Sequence, residues 1–481
     1  MSIFNKFPRT FWIANTAELI ERLAWYGFYM VFAIYLTASK DKGALGFSQI
    51  DKSYIMSIGT TLLYLLPIIT GSIADKFGYK KILMLSFVIY MSGFLMLGKA
   101  SEFSSVFILF LYVAVGGAFF KPVISATIAK TTNKETSSIG FGIFYMMVNI
   151  GSFIGPLFTS QLRENSWYSV FVFTAGVFIL NAILIFFFYK EPEREVSEKP
   201  FIQTISESIT TIFKVLKDLK FLIFLLLISG FWSMYYQLFY SLPVFIDQWV
   251  DTSILFDKIH SVSPTFANMI GTAQGTIAAE MITNIDAMYI IIFQLLISTL
   301  VMKLKPLNAM ISGIFIASIG IGLMFMTMNP IFLIFSMLVF AVGEMSSSPK
   351  ITEYIGRIAP NDKVAMYMGT SFLPVALGSS IAGYLSGSVY QQVADKISLI
   401  YVDAANKNIS LHQLSDNFTQ TNLISEYLNK TGFSQSQMIE YLWHTYHPYN
   451  IMYIYASIGL FTALGLFIYD KIISKTGKSL N

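Results

Sequence analysis

FVFTAGVFILNAILIFFFY, running from Phe171 to Tyr189, is a stretch of nineteen residues without a single Asp, Glu, Lys or Arg. At 1.5 Å per residue such a helix is about as long as the roughly 30 Å hydrocarbon core of a bilayer is thick. Further apolar runs lie at Ile82–Leu97, Ser105–Val115, Leu219–Gly230 and Ile311–Met328. The 481 residues are 55% hydrophobic and only 12% charged, about half the charge of an ordinary soluble domain. A soluble helical core would need polar outer faces, and these segments lack them. The chain therefore reads as an all-α integral membrane protein.

Extending this reading predicts twelve helices, α1 to α12. They fall near 10–37, 48–75, 79–98, 103–130, 138–162, 167–189, 219–248, 284–303, 307–328, 330–358, 364–390 and 449–473. The start, with Lys6, Pro8 and Arg9, leads into a helix too long and too polar in its first turns for a cleaved signal segment. Cysteine is absent, which excludes a disulfide framework, a thiol nucleophile and a thiolate metal site. The net charge of +4 says less than its distribution. Lys76, Lys80 and Lys81 follow α2, Lys130 and Lys134 follow α4, and Lys303 and Lys305 follow α8. Lys190, Arg194, Lys199, Lys214 and Lys217 lie between α6 and α7, and Lys471, Lys475 and Lys478 close the chain. The positive-inside rule then predicts cytoplasmic termini, in agreement with an even helix count.

The charged segment 190–218 is expected to divide a six-helix bundle, 1–189, from a second one, 219–481. Its 201–217 part suits an amphipathic surface helix. The polar stretch 391–448, with Asn406, Asn408 and Asn429, is expected to be an extracytoplasmic insertion. Ile150-Gly151-Ser152-Phe153-Ile154-Gly155 in α5 resembles Leu377-Gly378-Ser379-Ser380-Ile381-Ala382 in α11, a weak sign of an internal repeat.

Ionisable residues inside apolar spans cost a few kcal/mol each and mark cavities or partners. In α1, Glu18, Glu21, Arg22, Trp25 and Tyr29 fall within about a 100° arc, with Tyr26 just past its edge. Glu18 and Arg22 have pairing distance along the helix. A buried ion pair fixing α1 to a neighbour is one reading. Three charges in five residues exceed that need and favour a cavity wall with a proton site. Lys121 precedes Pro122 in α4, too deep in its span to snorkel, and Asp286 opens α8. In α10, Lys350, Glu353 and Arg357 share a face and read as gate or surface pairs. Glu344 lies about 240° away from Lys350 and has no cation within a turn, which makes it the best single proton-binding candidate. His260, His412, His444 and His447 all fall in expected loops, so any relay uses carboxyls. No hydrolase elbow, phosphate loop or metal cluster is present, and no enzyme activity is expected.

Gly71-Ser72-Ile73-Ala74-Asp75-Lys76-Phe77-Gly78-Tyr79-Lys80-Lys81 resembles the loop 2–3 signature of the major facilitator superfamily, in which an aspartate and basic residues form a gate. Asp75, Lys80 and Lys81 match those positions. Glu18-Leu19-Ile20-Glu21-Arg22-Leu23-Ala24-Trp25-Tyr26-Gly27 is similar to the α1 motif of the proton-coupled oligopeptide transporters. Gly117 to Pro122, Phe141 to Gly151, Phe231-Trp232 to Gln237, Gly343-Glu344 to Pro349, and Ile358-Ala359-Pro360 resemble further motifs of that family, in order along the chain.

The resemblance implies the major facilitator fold, two six-helix bundles, and proton-driven import of di- and tripeptides by alternating access. It implies proton coupling by Glu18, Glu21, Arg22 and Glu344. Substrate contacts are expected at Tyr26, Tyr29, Tyr64, Lys121, Asn149, Trp232, Tyr236, Asp286 and Glu344, with Lys121 at the peptide's carboxylate end and Glu344 at its amino end. No cofactor or metal is expected, the proton gradient being the driving force. The expected partners are peptide, protons and lipid, with no nucleic acid, for a monomer in the inner membrane.

Three departures alter the pocket. Tyr29 stands where the family commonly has an arginine, Tyr236 where it has a glutamate, and Asp286 where it places an asparagine. These keep open a same-fold transporter of another small organic solute, such as a modified peptide or amino-acid conjugate. A membrane enzyme or a receptor is the remaining alternative.

Overall fold

A computed structural model describes residues 7–133, 136–193, 201–360 and 364–475. Lys6, Lys134, Arg194, Lys199 and Lys478, used above, lie outside the described residues. Among the described residues the regular structure is helical, apart from isolated bridges between Gly271 and Ile277 and between Ser415 and Phe418. Eleven helices are long and apolar enough to cross a membrane, or twelve when the bent pair Gln49–Leu65 and Pro67–Phe77 counts as one span.

The twelve spans follow the expected order. They are α1 (Arg9–Thr37), α2 (that bent pair), α3 (Tyr79–Leu97), α4 (Phe103–Lys130), α5 (Ser137–Asn165) and α6 (Trp167–Phe188). The second half has α7 (Leu219–Tyr235, then Gln237–Tyr240 and Leu242–Trp249), α8 (Ile285–Val301), α9 (Pro306–Phe325) and α10 (Pro330–Ile358). It ends with α11 (from Val364–Gly369 to Tyr390–Val393) and α12 (Ile451–Lys475). Boundaries follow local chemistry. Ser48 and Asp51 form a capping box that starts α2, Asp218 caps α7, and Asn329 caps α10.

Proline shapes two of the spans. Pro67 sits where α2 bends by 46°. Pro122 lacks the N–H that would satisfy the Ala118 carbonyl one turn back, and the Thr70 hydroxyl of α2 donates to that carbonyl instead, at 2.6 Å. The proline segment of α4 is thus tied to the part of α2 beyond its bend.

The weak repeat has a structural counterpart. A Cβ on Gly151 of α5 would lie 2.4 Å from the Leu19 carbonyl of α1, and one on Gly155 2.2 Å from that of Leu23. A Cβ on Gly378 of α11 would lie 2.7 Å from the Ser229 carbonyl of α7. The two related segments therefore make the same kind of contact, fifth helix on first and eleventh on seventh, where only glycine lets the backbones approach so closely.

The stretch 391–448 is a folded cap rather than plain polar loop. Its helices Lys396–Asn406, Gln420–Thr431 and Gln435–Tyr446 gather around the buried Asp403. That carboxylate accepts from Tyr441 at 3.0 Å and Tyr446 at 2.9 Å, takes a short bond from Tyr427, and pairs with Lys407 at 2.9 Å. At the cap's surface, Glu426 accepts from Lys430, the His412 backbone N–H and the His412 ring, which together hold its carboxyl down to about 2. Short helices Ser253–Val262 and Pro264–Ile270 occupy part of the connection between α7 and α8. His260 and His444, expected in loops, are therefore helical residues, although still outside the spans. These helices are too short and too polar to register as apolar runs.

Candidate functional site

The polar face of α1 is buried, and its charges pair with one another. Glu21 is fully buried, while Glu18 is 6% and Arg22 5% exposed. Arg22 reaches Glu18 at 3.2 Å, makes a short contact with Glu21, and lies over the Tyr26 ring at 5.8 Å. Tyr90 of α3 donates to the other Glu21 oxygen at 2.8 Å. One guanidinium thus balances two carboxylates, an arrangement that leaves the group one positive charge short of neutrality. The ammonium of Lys121 acts electrostatically on Glu18 from α4.

Lys121 itself sits over the Tyr64 ring, 4.4 Å from its centroid and 3.4 Å from its hydroxyl. Tyr64 is in turn an electrostatic neighbour of Tyr236 of α7. A cation of one bundle is thereby connected through two phenols to the other. Asn149 donates to the Tyr145 carbonyl one turn back in α5, at 2.8 Å. The buried Trp232 Nε1 has no acceptor among the described residues.

Asp286 and Glu344 come together from α8 and α10. Each is 7% exposed, and the two carboxyl groups are electrostatic neighbours. Tyr26, Tyr145 and Tyr235 are electrostatic neighbours of Glu344 from α1, α5 and α7. The sequence presents Glu344 as an isolated carboxyl, which holds on its own helix. The second carboxyl arrives from another.

Tyr29 has a different place. Its hydroxyl lies 2.6 Å from Thr60 and 3.4 Å from Tyr240, within a buried junction of α1, α2, α7 and α11 on the cap side. Lys52, fully buried, anchors that junction. Its Nζ donates to Gln49 at 2.8 Å, to the Tyr240 carbonyl at 2.7 Å and to the Ser386 carbonyl at 3.2 Å. Ser386 belongs to the π-helical turn Leu385–Val389 of α11. Such a turn disrupts the regular ladder, and the lysine compensates. Gln49 donates to Asp395 at 2.9 Å, and Gly383 and Gly387 leave space occupied by Ser57 and Ser53.

Further along the same side, Arg163 of α5 pairs at 2.5 Å with Glu280, a wholly buried residue of the short helix Ala279–Thr283. Lys40 meets Asp416 of the cap at 2.5 Å. The described polar contacts between bundles therefore cluster on the cap side. Lys52, Arg163, Glu280 and Tyr240 are important positions that the sequence reading passes over. Lys52 and Arg163 lie near helix ends, where a cation ordinarily snorkels and carries no signal.

At the opposite end, Asp75 accepts from Tyr79 at 2.8 Å, while Lys80 donates to the Phe186 carbonyl at 2.7 Å and Lys81 is exposed. Lys350 and Arg357 flank Glu353 at 2.7 and 2.6 Å, a network within α10.

Residues 16–249 match the family model described as Major Facilitator Superfamily. The dipeptide and tripeptide permease A of Cronobacter turicensis is 30% identical over 204 residues, covering 42% of this chain and 40% of that protein. The permease of the same name from Citrobacter koseri is 25% identical over 445 residues, covering 82% of this chain and 88% of its own. The chain thus aligns with about two fifths of the first relative and most of the second. Among solved structures, a POT family transporter in complex with 5-aminolevulinic acid superposes with a TM-score of 0.71 at 16% identity, covering 98% of this chain and all of the other. A peptide transporter POT in complex with sulfate gives 0.69, also at 16% identity, over 98% and 95%. These likenesses establish the fold, and the motifs in α1, α4, α5, α7 and α10 stand in it in the expected order. Over residues 16–249 the chain is similar to the major facilitator superfamily, and over most of its length it is similar to a dipeptide and tripeptide permease.

Proposed function

We propose that the protein is a proton-driven symporter that imports di- and tripeptides by alternating access. The observation that carries the reading is the placement of opposite charge on the two bundles. Lys121 stands on α4, and Asp286 with Glu344 stands on α8 and α10, with Tyr26, Tyr64, Tyr145, Tyr235 and Tyr236 between. A zwitterionic peptide needs a cation for its carboxylate and an anion for its ammonium, and aromatic walls tolerate varied side chains. In this reading Lys121 holds the carboxylate end, Glu344 and Asp286 the amino end, and Asn149 and Trp232 line the space between them. Glu18, Glu21 and Arg22 couple protonation to the rocking of the bundles. The two relatives named as dipeptide and tripeptide permeases support the cargo.

The cap side is extracytoplasmic and the termini are cytoplasmic, as the lysine-rich loops after α2 and α4 favour. Bacterial relatives support an inner-membrane location. The closed cap side then corresponds to a cytoplasm-facing state. Asp75, Lys80 and Lys81 belong to the cytoplasmic gate. The proton gradient is the only energy source the mechanism requires, and the monomer suffices.

A second cargo class is favoured by Tyr29 and Tyr236, which stand where the family commonly carries charge. A related structure holds a thioalcohol conjugated peptide. Purified protein in liposomes, offered a mixed di- and tripeptide pool under an inward proton gradient, tests the reading. Accumulation of peptide supports it. Uptake of none, with uptake of a modified peptide or amino-acid conjugate, supports the second class instead.

A further inference from the structure

The cap leaves α11 and returns into α12, so its covalent roots lie in the second bundle. Its ring packing lies there as well. The Trp443 ring sits 6.0 Å from that of Phe245 and 5.8 Å from that of Trp249, both in α7. The Trp249 indole donates to the Ala394 carbonyl at 2.9 Å, and Lys396 Nζ to the Gln248 carbonyl at 3.0 Å. Asp395, which caps the helix Lys396–Asn406, accepts from the Gln248 amide at 2.8 Å.

The cap meets the tip of α1 through polar bonds. The last carbonyls of a helix lack partners of its own. In α1 those of Tyr35 and Leu36 accept from the N–H groups of Leu45 and Phe47 in the following loop. The Thr37 carbonyl accepts instead from the Gln420 amide of the cap, at 3.1 Å. The favour is returned. The Thr421 N–H, an orphan donor at the start of the cap helix Gln420–Thr431, donates to Ser39 Oγ at 3.2 Å. The C-terminal end of α1 and the N-terminal end of a cap helix thus cap one another, with partial charges of opposite sign facing. Lys40 and Asp416 flank the contact, but both are too exposed to hold it alone.

We infer that the cap is a latch, carried permanently by the second bundle, which clasps the tip of α1 and releases it whenever the extracytoplasmic side opens. This rests on the alternating-access reading. Buried rings resist exposure to water, whereas polar bonds exchange for water at small net cost, so the α1 contact is the one that parts. The clasp is also stiff. Tyr427 ties the cap helix that meets α1 to Asp403 of the helix rooted on α7. Movement of α1 against α7 therefore draws Gln420 and Thr421 away from Thr37 and Ser39. The clasped helix is the one that bears Glu18, Glu21 and Arg22, the last turn lying about 24 Å beyond Glu21. The latch thus sets how readily that helix swings with the first bundle.

Two experiments on the full chain test the latch. The first uses a single Ser57→Cys reporter in the cysteine-free background, labelled with a membrane-impermeant maleimide. Ser39→Ala with Gln420→Leu removes both reciprocal caps and should speed labelling by about tenfold. An unchanged rate overturns the inference. The second joins the two partners directly. Ser39 Oγ and Thr421 Oγ1 lie 3.2 Å apart, so Ser39→Cys with Thr421→Cys should form a disulfide on oxidation. Gradient-driven peptide uptake in liposomes should stop when it forms and return with a reductant, which guards against misfolding. Full uptake by the cross-linked protein overturns the inference. Labelling needs no substrate, so it judges the latch even where wild-type uptake fails and the peptide reading falls.

Discussion

Lys52 Nζ lies 2.7 Å from the Tyr240 carbonyl, so a buried ammonium on α2 is fastened to the backbone of α7 across the boundary between bundles. It also reaches Ser386 on α11. A single side chain therefore ties the first bundle to two helices of the second, and alternating access requires that this tie break.

Lys52→Met removes the donor while keeping most of the apolar stem. Carbonyls left unsatisfied cost about 1–3 kcal/mol each, so the closed cap side should open more often. The chain has no cysteine, which leaves a clean background. A single Ser57→Cys reporter, placed where Ser57 packs on Gly383, should react faster with a membrane-impermeant maleimide when Lys52 is replaced. An unchanged rate would show that Lys52 does not hold the closure.

Arg163 and Glu280 should behave as a pair. Replacing either alone leaves a buried charge uncompensated and is expected to destabilise the protein by about 3–5 kcal/mol. Arg163→Met with Glu280→Gln should lose clearly less than the sum of the single losses. Thermal unfolding in detergent, read as a double-mutant cycle, measures the coupling.

Glu21 accepts from Tyr90 and contacts Arg22, so its loss separates a coupling role from a structural one. Glu21→Gln is expected to spare exchange between preloaded compartments and to abolish gradient-driven accumulation. Loss of both would identify the triad as a buried structural pair.

The cap should respond to acid at one named place. Glu426 titrates near 2 instead of 4.5 because Lys430 and His412 bind its ionised form. Its contribution is present above 4.5 and fades as pH falls toward 2, since the folded state then loses its advantage in holding the carboxylate. Hydrogen exchange in 412–431, corrected for intrinsic rate, should be faster in Glu426→Gln than in wild type at neutral pH. That difference should shrink across the same interval.

Much of the fold is written in local sequence. Run lengths such as Phe171–Tyr189 and the proline and glycine positions are short-range signals, and they place the spans to within a few residues. The α1 charges are similarly legible, because Glu18, Glu21 and Arg22 lie within five residues. What escapes is contact between distant segments. Glu344 reads as solitary because Asp286 belongs to another helix. Lys52 reads as an ordinary end-of-helix lysine because its carbonyl acceptors come from α7 and α11. The cap helices escape for another reason: Asp403 and its tyrosines organise them through polar bonds, without the apolar periodicity that reveals a helix.

The most direct test of the account is uptake of labelled dipeptide by purified protein in liposomes, with and without an inward proton gradient. The account predicts accumulation above the external concentration only with the gradient, abolished by an uncoupler. Equal uptake in both conditions, or none from any di- or tripeptide pool, would contradict it.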